Sequence, residues 1–518
     1  FERFEGRMWR KGRPGAEVGR PPALSLREEV QRLAALYEEA AAWLERWAAA
    51  EADDDDHTTA LFTTQVLHAP ATDFRNEAAT LRAEAGQPEP TIGPDRLEIG
   101  YRRLMATFEV RLSAFERKGY VNLSHEPNKA MNLNAYLSLL GRRWREGRDP
   151  DGRSLLLPAR PGERGLPVPK ADYVITLDAD SLLLPGYALR LIHLLERPGN
   201  EKVAVAQTPY SAVPQAPGPL ERIAGATTDL QYIVHQGFTQ HRATFWVGAN
   251  ALLRTAALAD IGSHDEERGF RVRRYIQDRT VIEDTESSVD LVREGWQLVN
   301  YPERLSFSAT PPDFGALLIQ RRRWANGGLI ILPKLLGYLA RQPRRRMREG
   351  LMRFHYLTSI TGANLGLLAL LAIPFPTPPA AAWLPVSAFP YFALYARDLR
   401  QVGYRRMDAV RAYALNLALI PVNLGGVLKS VQQAWTRRRI PFHRTPKVEG
   451  RTPVPRLYLL AELALVAYCA LWGTLDLVAG RWAHAGFQVF NVALLGYAIV
   501  RFIGWRQLWA DLTSPRRG

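Results

Sequence analysis

The sequence is almost without cysteine, since Cys469 is the only one among 518 residues. A single thiol excludes an internal disulfide framework and a metal cluster held by thiolates. The first residues lack a secretory signal pattern, and the chain opens with Phe1 in place of methionine. We therefore expect the natural protein to continue upstream of Phe1. A serine or cysteine in a pattern typical of nucleophilic catalysis is also missing.

Acidic residues are in the minority. Lys and Arg number 67 against 52 Asp and Glu, which gives a net charge of +15. Basic charge suits nucleic acid, but here the Arg clusters adjoin apolar segments, which favours the inner surface of a membrane. Hydrophobic residues make up 47% of the chain. The composition predicts a soluble part joined to a membrane part and argues against a nucleic-acid partner.

Residues 1–115 predict a helical or irregular region. Ser25 and Glu28 form a capping-box pattern before a helix. The apolar face of that helix consists of Val30, Leu33, Tyr37, Leu44 and Trp47. We predict a strand at 61–67 and a helix at 104–115, and interpret the acidic run 53–56 as a solvated turn.

The stretch around which the rest is organised is a short apolar run that ends in two carboxylates. Tyr173 to Leu177 predicts a buried strand, and Asp178 and Asp180 follow it directly. Ligands bind outside the carboxyl ends of strands in parallel α/β sheets. Two carboxylates there can hold Mg²⁺ or Mn²⁺ and leave positions open for substrate phosphates. Taken alone, the pair also suits a polar turn or a helix cap.

A second polar turn lies upstream. Residues 120–123 predict a short strand that runs through a polar turn into an apolar helix at 135–140. Such a turn is a common phosphate or sugar site, with Lys129 and Asn132 as the candidates. The Arg-, Pro- and Gly-rich segment 142–170 predicts a surface insertion.

Three more stretches carry candidate residues. After a buried strand at 203–209, Phe245, Trp246 and Gly248 combine aromatic rings with a small residue. The rings suit either a sugar or core packing, and glycine lets a backbone approach a ligand closely. Asp284 follows Glu283 at the start of a predicted helix, where a general base can be held ionised.

The third stretch runs from Gln320 to Trp324 and contains three consecutive arginines. Arg suits a pyrophosphate and Trp suits the face of a sugar ring. The alternative is a membrane-surface helix with Trp at the interface, and both interpretations can hold together.

The order of these motifs resembles the processive family 2 glycosyltransferases of the cellulose synthase type, from about Val121 to the C-terminus. The resemblance implies an α/β nucleotide-sugar-binding domain of the glycosyltransferase A type at 116–330. It also implies an all-α transmembrane part at 331–518, with about four spans and interfacial helices. Two features depart from the family. Its opening strand and the Asp-Asp pair that holds the uridine are not visible in residues 1–120, and Ile282 stands where Thr is frequent. The resemblance therefore implies that residues 1–115 belong to an N-terminally truncated catalytic domain.

The resemblance implies a role for each motif residue. Asp178 and Asp180 hold Mg²⁺ or Mn²⁺ on the diphosphate of a UDP-sugar, and Asp284 is the catalytic base. Lys129 and Arg323 are expected at the donor diphosphate. The residues expected near the acceptor glycan are Gln320, Trp324, Phe245, Trp246 and Gly248.

Four apolar runs beyond residue 330 are long enough, or nearly so, to cross a membrane. They are 356–375, 380–396, 455–480 and 485–504. The basic stretches 341–348, 397–406 and 437–451 are expected on the cytoplasmic side. The apolar segment 409–428 lies between two such stretches, so we predict an interfacial or re-entrant helix. Glu462 and Asp476 fall inside the third run, where acids usually face a cavity or a partner.

The loop 437–453 contains Phe442 to Lys447, which resembles the gating loop F-x-V-T-x-K of cellulose synthases with Arg444 in place of Val. By that match Thr445 and Lys447 contact the diphosphate. The alternative is an ordinary basic loop next to the membrane.

The sequence therefore predicts a multi-pass protein of the inner membrane with a cytoplasmic catalytic domain. The predicted activity is inverting transfer of a sugar from a UDP-sugar to a growing β-glycan, with export. The alternatives are a non-processive transferase acting on a lipid-linked acceptor and an inactive membrane scaffold. The sugar, the linkage and any accessory subunit stay open.

Overall fold

The chain forms two units in the computed structural model, and they divide between Ala114 and Phe115. This division lies one residue from the domain boundary expected from the sequence. The structure describes residues 25–51, 56–89, 91–248, 250–341, 347–372, 389–436 and 450–514.

The described part of the N-terminal unit is helical. Its helices are α1 Leu26–Glu51, α2 His57–Phe62, α3 Ala69–Ala85 and α4 Pro94–Phe108. Helix α1 begins as predicted, because Glu28 accepts the Ser25 N–H at 2.7 Å while Ser25 accepts the Glu28 N–H at 3.4 Å. Its apolar face packs on α3 and buries Leu33 and Tyr37. That packing stabilises the unit.

The strand predicted at 61–67 is wrong. These residues end α2 and continue as a π-helical turn, Thr63–His68. Leu67 is buried in the helical core, and this packing overrides the β propensity of the run. Asp56, the one described residue of the acidic run, caps α2 by accepting the N–H groups of Thr58 and Thr59. The helix predicted at 104–115 ends at Phe108.

An α/β part opens the C-terminal unit. Its strands are β1 Arg143–Arg148, β2 Ser154–Pro158, β3 Leu166–Pro167, β4 Tyr173–Thr176, β5 Ser181–Leu183, β6 Val203–Gln207, β7 Ser211–Ala212, β8 Ala251–Arg254, β9 Ser263–Glu267, β10 Phe270–Arg274, β11 Gln297–Asn300 and β12 Ser306–Ser308. The central sheet has the order β11-β6-β8-β4, in which β6 and β11 are parallel and β8 is antiparallel to its neighbours. The predicted strands at 173 and 203 are therefore confirmed.

The smaller sheets lie beside this core. Strands β5, β12 and β7 form one, β9 and β10 form a hairpin, and β1 to β3 form an antiparallel sheet inside the predicted insertion. The strand predicted at 120–123 is wrong, because this segment makes turns. The Asn122 side chain exchanges two hydrogen bonds with the Leu156 backbone, at 2.8 and 3.0 Å, which ties the segment to β2 without a strand pairing.

The helices of the α/β part are α5 Lys129–Leu139, α6 Tyr187–Leu195, α7 Pro219–Phe238, α8 Thr255–Asp260, α9 Glu283–Arg293 and α10 Phe314–Leu339. Asn128 caps α5 by accepting the Met131 N–H at 2.8 Å. The domain boundary expected at residue 330 falls inside α10. The catalytic part and the helices that follow are thus joined by one continuous helix.

The rest of the described chain is helical. Its helices are α11 Met347–Ala372, α12 Phe389–Gln401, α13 Arg406–Ala418, α14 Ile420–Thr436, α15 Arg456–Val478, α16 Trp482–Ala498 and α17 Trp505–Thr513. Within the described ranges, three segments are long and apolar enough to cross a membrane, namely Met347–Leu371, Arg456–Val478 and Trp482–Ile503. A fourth arises if α13 and α14, which meet at 46°, form one broken span. The predicted fold class is confirmed.

Three of the four predicted crossings coincide with these segments. For the run 380–396 the structure describes residues from Phe389 onward, where α12 begins. The segment 409–428 falls on the bent pair α13 and α14, a geometry shared by broken spans and re-entrant loops.

The two acids of the third apolar run are buried in α15. Asp476 has the partner expected of an acid in an apolar segment, since Arg481 Nε lies 2.6 Å from its Oδ1 and His484 of α16 bonds its Oδ2. Glu462 is 1% exposed. Gln488 of α16 continues the polar contacts by donating to the Leu371 carbonyl at 3.2 Å.

Candidate active site

A cavity of about 950 Å³ lies where the central sheet meets α5, α9, α10 and α11. The sequence-predicted residues on its wall are Lys129, Asp178, Asp180, Gly248, Asp284, Gln320, Arg323 and Trp324. Motifs separated by almost 200 residues along the chain are thus brought together. Thr445 and Lys447 lie outside the described residues.

The turn after β4 carries the two predicted metal ligands. The Ser181 N–H donates to the Asp178 carbonyl at 3.1 Å, which closes a tight turn and leaves both carboxylates at the cavity. Lys129, the first residue of α5, forms an ion pair with Asp178. Burial lowers the pKa of the Lys129 ammonium, but the charges of Asp178, Glu283 and Asp284 outweigh burial and raise it. Lys129 is therefore a fixed positive charge.

Asp178 and Asp180 fit a hard divalent cation. Both offer carboxylate oxygens, which are the ligands that Mg²⁺ and Mn²⁺ prefer. Among the described residues no cluster of three or more His, Cys, Asp or Glu side chains surrounds one point. A cation held by this pair would complete its coordination with water and phosphate oxygens, which is the ordinary arrangement for Mg²⁺ with a nucleotide.

Asp284 lies in the first turn of α9, and backbone groups hold its carboxylate. Gly248 donates its N–H to Oδ2, and Thr285 donates its N–H to Oδ1 at 2.6 Å. Gly248 has φ +83°, a left-handed conformation that suits glycine. Burial raises the pKa of Asp284, and these hydrogen bonds and Lys129 oppose that rise.

Glu283 precedes Asp284 on the same wall. Burial, followed by the charge of Asp284, raises the pKa of Glu283 to about 7. Two neighbouring carboxylates that cannot both ionise easily form a coupled acid–base pair. The sequence placed Glu283 in the motif, but nothing in the motif distinguished its environment from that of Asp284.

Helix α10 presents Gln320, Arg323 and Trp324 to the cavity, because positions i, i+3 and i+4 share one helix face. Arg321 points elsewhere, donating to the Thr227 hydroxyl at 2.7 Å with its guanidinium 4.6 Å from the centre of the Trp324 ring. Burial lowers the pKa of Arg321 to about 10. Arg321 therefore supports the Trp324 ring, and Arg323 faces the cavity.

Phe245 and Trp246 do not reach the cavity. Their side chains are 0% and 1% exposed and belong to the core. Phe245 stacks on Tyr356 with ring centres 4.7 Å apart. The two rings therefore pack in the core, which is the alternative that their pattern left open. The residues that follow them, Val247 and Gly248, border the cavity.

Sequence reasoning missed several wall residues. Tyr210 and Tyr232 stack with ring centres 5.7 Å apart, and Arg117 also lies on the cavity wall. Tyr356 was counted within an apolar run that predicts a span. Tyrosines carry no motif of their own, so only the fold could bring these rings together.

Comparisons with known proteins show similarity to glycosyltransferases. Residues 173–396 match the family described as Glycosyl transferase family group 2. Glucans biosynthesis glucosyltransferase H of Bradyrhizobium diazoefficiens is 31% identical over 212 residues, which are 39% of this chain and 26% of that protein. The UDP-forming cellulose synthase catalytic subunit of Komagataeibacter sucrofermentans is 29% identical over 163 residues, 30% of this chain and 19% of that one.

Among solved structures, the mannosyltransferase PcManGT from Pyrobaculum calidifontis, in complex with GDP-Man and Mn²⁺, matches at 14% identity. The match covers 67% of this chain and 77% of that chain with a TM-score of 0.34, which is too distant to bear on the site. The chain spans about a quarter or less of the two curated relatives. Residues 173–396 therefore match a family 2 glycosyltransferase domain, in a chain that is similar over part of its length to cellulose and glucan synthases.

Proposed function

We propose that the protein is a membrane-bound inverting glycosyltransferase that transfers a sugar from a UDP-sugar to a growing β-glycan and exports the product. The observation that carries the proposal is that Lys129, Asp178, Asp284 and Arg323 lie on the wall of one cavity. The cavity combines cationic groups suited to a diphosphate with a partly buried carboxylate suited to proton abstraction.

The chemistry follows from these positions. Asp284 accepts the proton of the acceptor hydroxyl as that oxygen forms a bond to the anomeric carbon. The bond from this carbon to the UDP oxygen breaks, and the electron pair leaves with UDP. Lys129 and Arg323 neutralise the charge that develops on the diphosphate. Attack from the face opposite the leaving group inverts the anomeric configuration.

Asp178 and Asp180 would hold the Mg²⁺ or Mn²⁺, which when bound stabilises negative charge on the diphosphate oxygens. On the acceptor side, Trp324 offers a ring face to a sugar and Gln320 offers an amide. The backbone N–H groups of Gly248 and Thr285 keep the Asp284 carboxylate oriented, so little reorganisation is needed as the proton moves.

The apolar helices after α10 support a location in the membrane, with the basic stretches on the cytoplasmic side. The cavity would then open to cytoplasmic UDP-sugars. Its wall reaches Ile360 of α11, so the acceptor end of the cavity adjoins a candidate span. That continuity supports a glycan product that leaves across the membrane.

The test is UDP release from membranes that contain the protein, with Mg²⁺ or Mn²⁺ and a panel of UDP-sugars. We expect turnover with one sugar and loss of at least about a thousandfold in Asp284→Asn, because the base is removed. Asp265→Asn is the matched control, since this exposed carboxylate pairs with Arg274 on the β9–β10 hairpin. Turnover that survives Asp284→Asn would assign the base elsewhere, and short lipid-linked products would favour the non-processive alternative.

A further inference from the structure

Arg353 is a buried charge that the proposed chemistry does not use. It lies in α11, near the start of the candidate span Met347–Leu371, and is 1% exposed. A buried guanidinium is costly unless its donors are satisfied, so its contacts show what it holds in place.

The Arg353 guanidinium donates hydrogen bonds to one short backbone segment, residues 242–244. Nη2 donates to the Arg242 carbonyl at 2.7 Å and Nη1 to the Thr244 carbonyl at 3.1 Å. Nε donates to Glu349 at 3.0 Å, one turn earlier on α11. The guanidinium also lies 5.1 Å from the centre of the Phe245 ring, which stacks on Tyr356. A planar fork is the group that can serve two carbonyls at once.

The gripped segment continues directly to the catalytic base. Trp246 donates its N–H to the Ser288 hydroxyl of α9 at 2.8 Å, and Val247 donates to the Gln207 side chain at 3.0 Å. Gly248 then donates to Asp284. Residues 242–248 therefore form a strap that is fastened by Arg353 at one end and presents a hydrogen-bond donor to Asp284 at the other.

We propose that Arg353 is a positioning residue, through which the first candidate membrane helix sets the place of the Gly248 N–H and hence the orientation of Asp284. This inference rests on the proposed function, since it assigns Asp284 the role of base. Arg353 touches neither donor nor acceptor. We therefore expect a substitution of Arg353 to change kcat and not the KM for the donor.

The experiment measures kcat and the donor KM for UDP release in membranes, with Arg353→Met and Arg353→Lys. We expect kcat to fall roughly tenfold to a hundredfold in both variants, because small displacements of a catalytic group cost that much, while the donor KM stays within about twofold. Lysine keeps the charge but cannot reach both carbonyls, so Arg353→Lys carries the test if Arg353→Met fails to fold. Glu349→Gln keeps the hydrogen bonds from Arg353 to residues 242 and 244, so its kcat is expected to stay within about twofold.

The pH dependence of kcat distinguishes a positioning role of Arg353 from a role in stability alone. The Gly248 hydrogen bond lowers the pKa of Asp284, so the acid limb of kcat moves to higher pH in the Arg353 variants. The substitutions leave the other titratable groups that face Asp284 chemically unchanged, namely Lys129, Asp178, Glu283, Tyr232 and Tyr356. Arg481→Met, which breaks an ion pair at the far end of α15, lowers the amount of active protein without moving the limb.

The proposal is overturned if the Arg353 variants keep the kcat of the unmodified protein, or if they lose activity with an unmoved acid limb as Arg481→Met does. Failure of the proposed function gives a different result, in which Asp284→Asn retains the activity of the unmodified protein. The inference about Arg353 then fails as well, because it assigns Asp284 the role of base.

Discussion

At the scale of single residues, the site depends on which groups the backbone fixes. The Asp284 carboxylate accepts two main-chain N–H groups, so the backbone sets its orientation. Lys129 is different, because its ammonium is held by a salt bridge to the side chain of Asp178. The backbone thus fixes one group, and a side chain fixes the other.

The raised pKa of Asp284 has a consequence for the pH dependence of turnover. A base must be ionised to act, so activity is lost as the pH falls through this raised value. We expect the acid limb of kcat above the ordinary aspartate range, which centres near 4. A pH series of UDP release between about pH 4 and 8 measures it. A limb at the ordinary aspartate value would show that Asp284 is more solvated than its surroundings indicate.

Lys129→Met removes the cation beside Asp178. In the proposed function the ammonium contacts the donor diphosphate, so we expect the donor KM to rise roughly tenfold to a hundredfold, as for loss of a charged hydrogen bond of about 1.5–3 kcal/mol. Lys118→Met is the control, because this exposed lysine lies outside the cavity. An unchanged KM in Lys129→Met would mean that the ammonium only balances the carboxylates.

The sequence predicted most residues of the site, because carboxylates and cations at strand and helix ends carry chemistry that their spacing reveals. It could not decide the role of Phe245 and Trp246. An aromatic pair has the same pattern whether it faces a sugar or a core, and only the packing of α11 against them makes the difference. The contacts of Arg353 could not be predicted either, because they join segments that lie more than 100 residues apart along the chain.

At the scale of elements, α9 and α10 fit together through a glycine. A Cβ on Gly327 would lie 2.2 Å from Cγ1 of Ile282, the residue just before Glu283. Lys334 joins the same two helices further along, with Nζ 2.6 Å from Asp290 and 3.4 Å from the buried Glu286. The helix that carries the base is therefore fixed to the helix that carries Arg323 and Trp324.

Gly327→Ala tests this contact. The added methyl must displace Ile282, so we expect a loss of about 1–3 kcal/mol in stability together with lower turnover. Gly337→Ala in the same helix is the control, because it meets nothing within 4 Å and is expected to be neutral or stabilising by up to about 1 kcal/mol. Thermal unfolding and UDP release of both variants give the answer.

A second change checks the cause. Adding Ile282→Val to Gly327→Ala removes one methyl group from the crowded contact, and we expect it to restore part of the lost stability and turnover. Equal behaviour of Gly327→Ala and Gly337→Ala would contradict a close fit between α9 and α10.

Elements with strong local signals were predictable, and those shaped by distant partners were not. Strand β4 and helix α1 follow from their own apolar patterns and caps. The runs at 61–67 and 120–123 have strand-like composition, yet one packs into a helical core and the other is held by the side chain of Asn122. In both, contacts far along the chain outweigh local propensity.

At the scale of the whole molecule, helix α10 leads from the catalytic part directly to the candidate spans. The basic stretches on either side of α11 and α12, and before α15, predict that the residues after α15 lie on the outer side. Residue 479 follows α15, and residue 514 follows α17. In the predicted topology these two positions lie on opposite sides of the membrane.

Cysteine labelling from outside the membrane tests this arrangement. We expect Ala479→Cys to react with an impermeant thiol reagent and Ser514→Cys to react only after the membrane is opened. The native Cys469 is buried and serves as the unlabelled background. Labelling of both positions from one side would contradict the predicted crossings of α15 and α16.

The contacts of Asp476 with Arg481 and His484 bear on how the chain is made. An ionised aspartate costs about 2.5–3.5 kcal/mol when a lone helix enters the bilayer. Helix α15 carries this acid, while its partners lie at the turn and on α16. The last two candidate spans are therefore expected to leave the translocation machinery as one hairpin, with α15 waiting at the channel until α16 has been synthesised.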